Sequence, residues 1–385
     1  MFHFVSAGES HGPGVISLIS GVPSGFPVKL DDINSELKRR QKGYGRGGRM
    51  AIERDKAQIL SGIRGGFTIG SPVAFLIENK DWENWAPYMD PVEVIHAGRE
   101  VTRPRPGHAD LAGGIKYGHT DLRNVLERAS ARETAARTAA GALAKIILSQ
   151  FDVEFFGYVL SIGDMVIDPG ETPLSVRGQN AQKSIFSLPV TDEDEILKEA
   201  VDKVKGEGDT LGGVVEVVVA GVPPGLGGPE QWYTRLDAKL AAALMSIPAV
   251  KGVEVGDGFE TARKRGKDAH DEIFFDESRR FYRKTNRAGG IEGGITNGAP
   301  IVVRAAMKPI PTLMSPLHSV DIRSKEEISA QAERSDVMAV PALSVIAEAM
   351  VAVVLAGEFL GKFGGDNLED ISRSYKSYLD RISLY

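Results

Sequence analysis

Short runs rich in Val, Ile and Phe alternate along this chain with longer stretches of helical period, without any repeating unit. Runs at 2–5, 15–19, 57–62, 72–77, 153–162, 212–222 and 301–307 read as strands. A helical stripe begins at Ala135 and continues through Ala136, Ala139, Ala140, Leu143, Ile146 and Ile147. Alanine dominates it, so a neighbouring element can approach closely. Ser130-Ala131-Arg132-Glu133 precedes it with the spelling of a capping box, in which Ser and Glu satisfy each other's backbone donors. Asp31 or Asp32 is expected to cap a short helix through Ile33 and Leu37, and Leu236 to Met245 reads as a helix ending before Pro248. An acidic-capped surface helix is expected over 191–205 with Ile196, Val201 and Val204 inward, and a polar helix from Asn367. The longest apolar run, Val340 to Gly357, contains Ser344 and Glu348 and opens at Pro341, which predicts a buried helix and not a membrane span. The stretch 79–90 reads as an ordered Trp-containing loop, and 164–188 as irregular.

Composition narrows the class. With 385 residues, 42% hydrophobic and 25% charged, the chain can bury a large core. A net charge of -6 argues against wholesale nucleic-acid binding. There is no cysteine, which excludes disulfides, thiolate metal sites and a Cys nucleophile. The first residues read as a strand and not as a signal peptide, so a cytoplasmic location is expected. The 44 glycines cluster in short motifs, where bare backbone can approach a ligand.

Those motifs carry the candidate chemistry. Gly8-Glu9-Ser10-His11-Gly12 has the spelling of a nucleophile elbow, which would make Ser10 the nucleophile of a serine hydrolase. An elbow turns into a helix, however, and here another strand follows. His11, in a glycine turn beside Ser10, is a candidate general acid. Lys38 to Lys42 leads into Gly43-Tyr44-Gly45-Arg46-Gly47-Gly48-Arg49, a basic flap whose guanidinium forks suit phosphate or carboxylate. A nucleic-acid-binding module through 39–49 is the alternative, but aromatics are sparse there and Glu53 and Asp55 follow. Prolines on both sides of Arg105 stiffen a loop that also holds His108 and Asp110. His108 and Asp110 could be half a metal site, yet nothing nearby in sequence completes it, so no metal is expected. Gly289-Gly290 and Gly293-Gly294 are either plain turns or a shelf for a planar ring. Lys308-Pro309-Ile310-Pro311-Thr312 offers phosphate donors in a stiffened loop, and Arg334-Ser335-Asp336 could hold a surface ion pair.

Three of these stretches, Gly8 to Gly12, Glu127 to Thr134, and Arg334 to Asp336 before Pro341 to Met350, resemble the signature regions of the chorismate synthase family. The resemblance extends through Arg39 to Arg49, Arg103 to Asp110, Asn286 to Gly298 and Lys308 to Thr312, in order along the whole chain. It implies a single α+β domain over 1–385, a sandwich with central helices between antiparallel β-sheets, assembled as a homotetramer. It implies a lyase of the shikimate pathway that converts 5-enolpyruvylshikimate 3-phosphate to chorismate and phosphate, toward the aromatic amino acids. The family requires reduced FMN although no net redox change occurs. With no added flavin-reducing domain in view, an external flavin reductant is expected, with NADPH as indirect reductant.

By the same resemblance, Arg40, Arg46, Arg49, Arg105, Arg132 and Arg334 bind substrate, with Ser10 beside the leaving phosphate. His11 matches the acid that assists phosphate departure, and His108 the histidine that protonates the reduced flavin or stabilises its charge. Asp336 matches the aspartate that works with flavin N5 to remove the C6 proton. Flavin contacts fall on Ser130, Ala131, Arg132, Pro248, Ala249, Gly293, Lys308, Pro309, Ile310, Pro311, Thr312 and Arg334, and NADP contacts on Arg40 and Arg46. Two positions depart from the family pattern. Pro248 stands where a polar residue is common and leaves a backbone contact only. Lys267-Asp268 follows Gly266 where the family often has Gly-Ser, in an expected surface loop.

Overall fold

A computed structural model describes residues 2–47, 54–93, 98–331 and 336–385. Strands β1 (His3–Ala7), β2 (Gly14–Ser20), β3 (Ala57–Ser61) and β4 (Val73–Glu78) form an antiparallel sheet in the order β1-β2-β4-β3. Strands β5 (Glu154–Ile162), β6 (Gly213–Ala220), β7 (Val250–Val255) and β8 (Ile301–Met307) form a second antiparallel sheet in the order β7-β8-β6-β5, extended past β5 by Met165–Val166. Alternation along the strands turns Val15, Ile19, Val73, Phe75 and Ile77 inward from the first sheet, and Val215, Val217, Val219, Ile301, Val303 and Ala305 from the second.

Ten helices complete the labelled frame: α1 (Leu30–Gln41), α2 (Trp82–Met89), α3 (Asp110–Tyr117), α4 (Arg123–Ala129), α5 (Thr134–Ser149), α6 (Leu174–Lys183), α7 (Asp194–Gly206), α8 (Leu236–Met245), α9 (Val340–Phe363) and α10 (Leu368–Ser383). Helices α5 and α9 lie between the sheets, α5 against β2 and α9 against β5 and β6, with α1 packed on both helices. This is the expected α+β sandwich. The alanine stripe of α5 permits the close crossing: a Cβ added at Gly141 would lie 2.3 Å from Ala349 Cβ. By length and composition α9 could cross a membrane, but 83% of its most apolar window is buried inside the protein, where the apolar run places it as a core helix.

Local departures from the sequence reading have physical causes. The stretch read as a loop at 79–90 holds α2, whose pattern is masked by Pro87 and by the absence of any buried residue. The stretch read as irregular at 164–188 contains α6, which buries only Ala181. In α7 the inward stripe runs through Leu197 and Val201, while Ile196 points outward at 69% exposure. The capping box does not close. Ser130 Oγ accepts from Arg132 N at 3.3 Å and starts a short 3-10 turn, Ala131–Glu133, while Glu133 pairs with Arg137 at 2.8 Å. Asp31 and Asp32 lie inside the first turn of α1, favourable to its dipole, and Lys29 occupies the cap. Lys267 and Asp268 sit in a single helical turn, Gly266–Ala269.

Candidate active site

A cavity of about 410 Å³ opens where the loops around the central helices converge. Contributors are the β1–β2 turn, the 105–109 loop entering α3, the junction of α4 and α5, the loop between α8 and β7, the segment after β8, and the start of α9. One wall, formed by Ile247, Met307, Leu343 and Ile346, is apolar; the others carry charge.

The 105–110 loop builds one side. Arg105 Nε donates to Asp110 Oδ2 at 2.9 Å and Nη1 to Thr312 Oγ1 at 2.9 Å, so the guanidinium is fixed between α3 and the loop after β8. His108 Nδ1 lies 2.6 Å from Asp110 Oδ1 and 3.0 Å from Arg105 Nη2. A guanidinium offers no lone pair, so the Nδ1 hydrogen goes to the carboxylate, and Nε2 is left for chemistry at the cavity. Burial pushes the Asp110 carboxyl up, but hydrogen bonds and charge from His108 and Arg105 more than offset this and hold it well below the usual range. The pair that spacing raised as half a metal site is thus a charge network centred on Arg105.

The β1–β2 turn builds the other side. A Cβ at Gly8, which has φ +107, would lie 2.2 Å from Gly14 O, so this glycine serves a tight hairpin. The turn runs strand to strand and has no nucleophile-elbow geometry, which removes the structural context for a Ser10 nucleophile. Glu127 of α4 accepts from His11 N at 2.8 Å and from His11 Nδ1 at 2.8 and 3.0 Å, and its carbonyl accepts from Ser10 N at 3.0 Å. Burial raises the Glu127 carboxyl, and the His11 hydrogen bonds and charge outweigh it, so its pKa is lowered. The His11 ring packs on Trp85 of α2, centroids 3.9 Å apart.

Cations crowd the floor. Buried Asp55 accepts from Arg40 Nη1 at 3.0 Å and from Arg132 Nη1 at 2.5 Å. Arg40 also donates from Nε to Thr134 Oγ1 at 2.9 Å. Burial depresses the Arg40 pKa below the usual guanidinium range, to about 10; Asp55 opposes this, while Arg132 and Arg46 add to it. An anion in the cavity would relieve that crowding. Asp336 accepts from Gly47 N at 2.5 Å and lies 3.2 Å from Arg46 Nε, which is buried without a well-aligned acceptor. Lys308 Nζ donates to Gly107 O, and Ala249 holds a left-handed φ of +70 at the cavity edge.

Of the residues singled out in the sequence, the cavity brings together Ser10, His11, Arg40, Arg46, Arg105, His108, Ser130, Ala131, Pro248, Ala249, Lys308, Ile310, Pro311, Thr312 and Asp336. Arg49 and Arg334 lie outside the described residues. Arg132 does not line the cavity: beside Asp55 its guanidinium donates to Asn79 Oδ1 at 2.7 Å and to Glu78 O at 3.0 Å. Gly293 and Pro309 are also off the lining, Gly293 in a hairpin whose Gly294 O accepts from Leu236 N. Gly289 and Gly290 are turns required by packing, since a Cβ would lie 2.4 Å from Gly256 N and 2.5 Å from Pro300 O. The supporting roles of Glu127, Asp55 and Trp85 carry no signal in the sequence. Glu127 stands inside the quoted motif, but nothing in its spacing shows that it faces a turn 116 residues away.

Comparisons with known proteins agree on one family. A family model described as Chorismate synthase matches residues 2–360. The chain is 54% identical to the chorismate synthase of Geotalea uraniireducens and 54% identical to that of Carboxydothermus hydrogenoformans, in each case over 100% of both chains. A solved structure described as a crystal structure of chorismate synthase superposes with a TM-score of 0.82 at 42% identity, covering 100% of this chain and 99% of the other.

Proposed function

The chain belongs to the chorismate synthase family, and from that premise we propose how its cavity performs the family's reaction. The reaction converts 5-enolpyruvylshikimate 3-phosphate to chorismate and phosphate, a lyase step of the shikimate pathway toward the aromatic amino acids. It is an anti-1,4-elimination: the C3–O bond breaks with its electron pair leaving on phosphate, hydrogen leaves C6, and the ring gains a double bond. No net oxidation occurs. The observation that carries the reading is a cation-lined cavity holding two histidines, each backed at Nδ1 by a buried carboxylate.

The residues fit a flavin. The apolar wall suits a planar ring system, Lys308 and Thr312 suit its polar substituents, and buried Arg46 Nε is a donor matched to a ligand oxygen. Reduced FMN, when bound, supplies the electron-rich partner that a barely acidic C6–H requires. Among the flavin contacts that family membership implies, Ser130, Ala131, the Pro248 backbone, Ala249, Lys308, Ile310, Pro311 and Thr312 line the cavity, while Arg132, Gly293 and Pro309 lie off it and Arg334 lies outside the described residues. Arg40, Arg46 and Arg105 line the cavity and neutralise the phosphate and two carboxylates of the substrate, with Ser10 beside the phosphate; Arg49 and Arg334 are assigned to the same task by family membership, and Arg132, tied to Asp55, Asn79 and Glu78, supports the cluster from outside the lining. His11 gives a proton from Nε2 to the departing phosphate oxygen. His108 holds a proton, or its charge, against the flavin, and Asp336 moves the proton at N5.

NADP contacts fall on Arg40 and Arg46, NADPH serves as an indirect reductant, and an external reductant supplies reduced flavin in the cytoplasm. The chain works as a homotetramer. In support, the outer face of the first sheet exposes Val5, Ile16, Leu18 and Leu60, an apolar patch of the kind a second copy covers. The binding reading is tested by flavin fluorescence. FMN is expected to bind more tightly in the presence of the phosphorylated substrate; equal affinity with and without it contradicts a shared cavity.

A further inference from the structure

His11 is held on three sides by residues to which no catalytic part has been assigned. Glu127 is 2% exposed and spends its carboxylate on the His11 backbone N–H, on His11 Nδ1 and on Arg123 Nη1 at 3.1 Å. Asn79 Nδ2 clamps the same turn from below, donating to Glu9 O at 3.0 Å and Gly12 O at 2.7 Å. Trp85 covers the ring, itself fixed by Nε1 donating to Asp81 Oδ2 at 2.8 Å and backed by Arg99 at 4.1 Å and Arg123 at 4.9 Å. A structural anchor for the turn would need only the two backbone bonds, Ser10 N to Glu127 O and His11 N to Glu127 Oε2. The additional contact to Nδ1 does something they do not. It fixes the ring's rotation, keeps a hydrogen on Nδ1, and turns Nε2 away from Glu127.

We propose that Glu127 and Trp85 are positioning residues for His11: Glu127 sets its tautomer and Trp85 its ring plane, so that Nε2 meets the departing phosphate oxygen. The inference rests on the elimination described above. As the C3–O bond breaks, its electron pair stays on the phosphate oxygen, which takes the Nε2 proton. The imidazole is then reprotonated from solvent, and Glu127 remains a carboxylate throughout. Glu127 also accepts from Arg123 on the same helix, and Arg99 lies over the Trp85 ring, so cations brace both residues that hold His11.

The test is a cycle on the full chain with saturating reduced FMN. Glu127→Gln is expected to lower kcat by roughly 100- to 10,000-fold, the range in which proton donors and their orienting partners act, with KM within about threefold. In a His11→Ala background the same change is expected to cost less than about threefold more, because the positioned group is gone. Losses that multiply in the double variant, or a wild-type kcat in Glu127→Gln, overturn the proposal. If Glu127→Gln does not fold, Trp85→Leu carries the same cycle: a kcat loss that vanishes without His11 supports it, and an unchanged kcat refutes it. A readout independent of turnover is acylation of His11 by diethylpyrocarbonate in the flavin-free protein at about pH 8, where an ordinary imidazole is neutral. Glu127→Gln is expected to slow it severalfold, because a carboxylate behind Nδ1 makes Nε2 the stronger nucleophile. An unchanged rate overturns the positioning role whatever the reaction is. An inactive wild-type enzyme with a slowed variant rate would instead retire the reaction and keep Glu127's role.

Discussion

Asp55→Asn should cost far more stability than a surface carboxylate would. The side chain is fully buried and serves two guanidiniums, Arg40 at 3.0 Å and Arg132 at 2.5 Å. Burial, with Arg132 and Arg46, already holds the Arg40 pKa down to about 10, an environment that disfavours its charged form. Among the described residues Asp55 is the carboxylate bonded to both arginines, and breaking a buried pair costs about 3–5 kcal/mol. The amide that replaces it presents a donor to donors, so the upper half of that range is expected. Urea unfolding reads this as a fall of about 1 M or more in midpoint at unchanged slope. Inorganic phosphate should restore stability more in the variant than in the parent, because a bound anion replaces the missing charge. A loss below about 1 kcal/mol, or equal phosphate effects in both proteins, would show that the cluster is solvated and that the cavity floor carries no excess positive charge.

Other outcomes follow from the same structure. Glu36 is pushed up by burial but drawn down more strongly by Lys145 and Arg39, from 4.5 to about 2, so its stabilisation is full above about pH 4.5 and lost as pH falls toward 2. The loss of about 3 kcal/mol in acid unfolding should flatten in Glu36→Gln. Gly141→Ala gains about 1 kcal/mol of helix propensity, yet its Cβ would lie 2.3 Å from Ala349 Cβ. Overpacking of about 1–3 kcal/mol should win, and a raised melting temperature would contradict the tight crossing. Asp110→Asn frees Arg105 and His108 together and should lower kcat/KM by about 100-fold or more, with the fold retained by circular dichroism. Light scattering should report a tetramer; a fully active monomer would remove the oligomer from the account.

The frame was legible in the sequence where burial is one-sided or complete. The valine-rich strands, the α8 helix and the apolar run of α9 all lie where periodicity put them. Surface helices with little to bury, α2 and α6, were not legible, since a Pro within one and a mostly polar face in the other leave no stripe to read. The same division holds at the site. Histidines and arginines in glycine-rich or proline-stiffened loops identify themselves by residue type. Their partners do not: Glu127 and Asp55 look like ordinary surface acids until the fold carries them to His11 and to Arg40 with Arg132. Asp110, two residues from His108, was visible but ambiguous, because a His–Asp spacing fits a metal ligand set as well as the Arg105 network it forms.

The central claim is that this cavity eliminates phosphate with a flavin that is not consumed. An anaerobic assay tests it directly, with FMN reduced photochemically, no NADPH present, and phosphorylated substrate in excess over flavin. A catalytic flavin yields many chorismates per flavin and is still reduced at the end. One oxidised flavin per product would contradict it, and the roles given to His108 and Asp336 would fall with it.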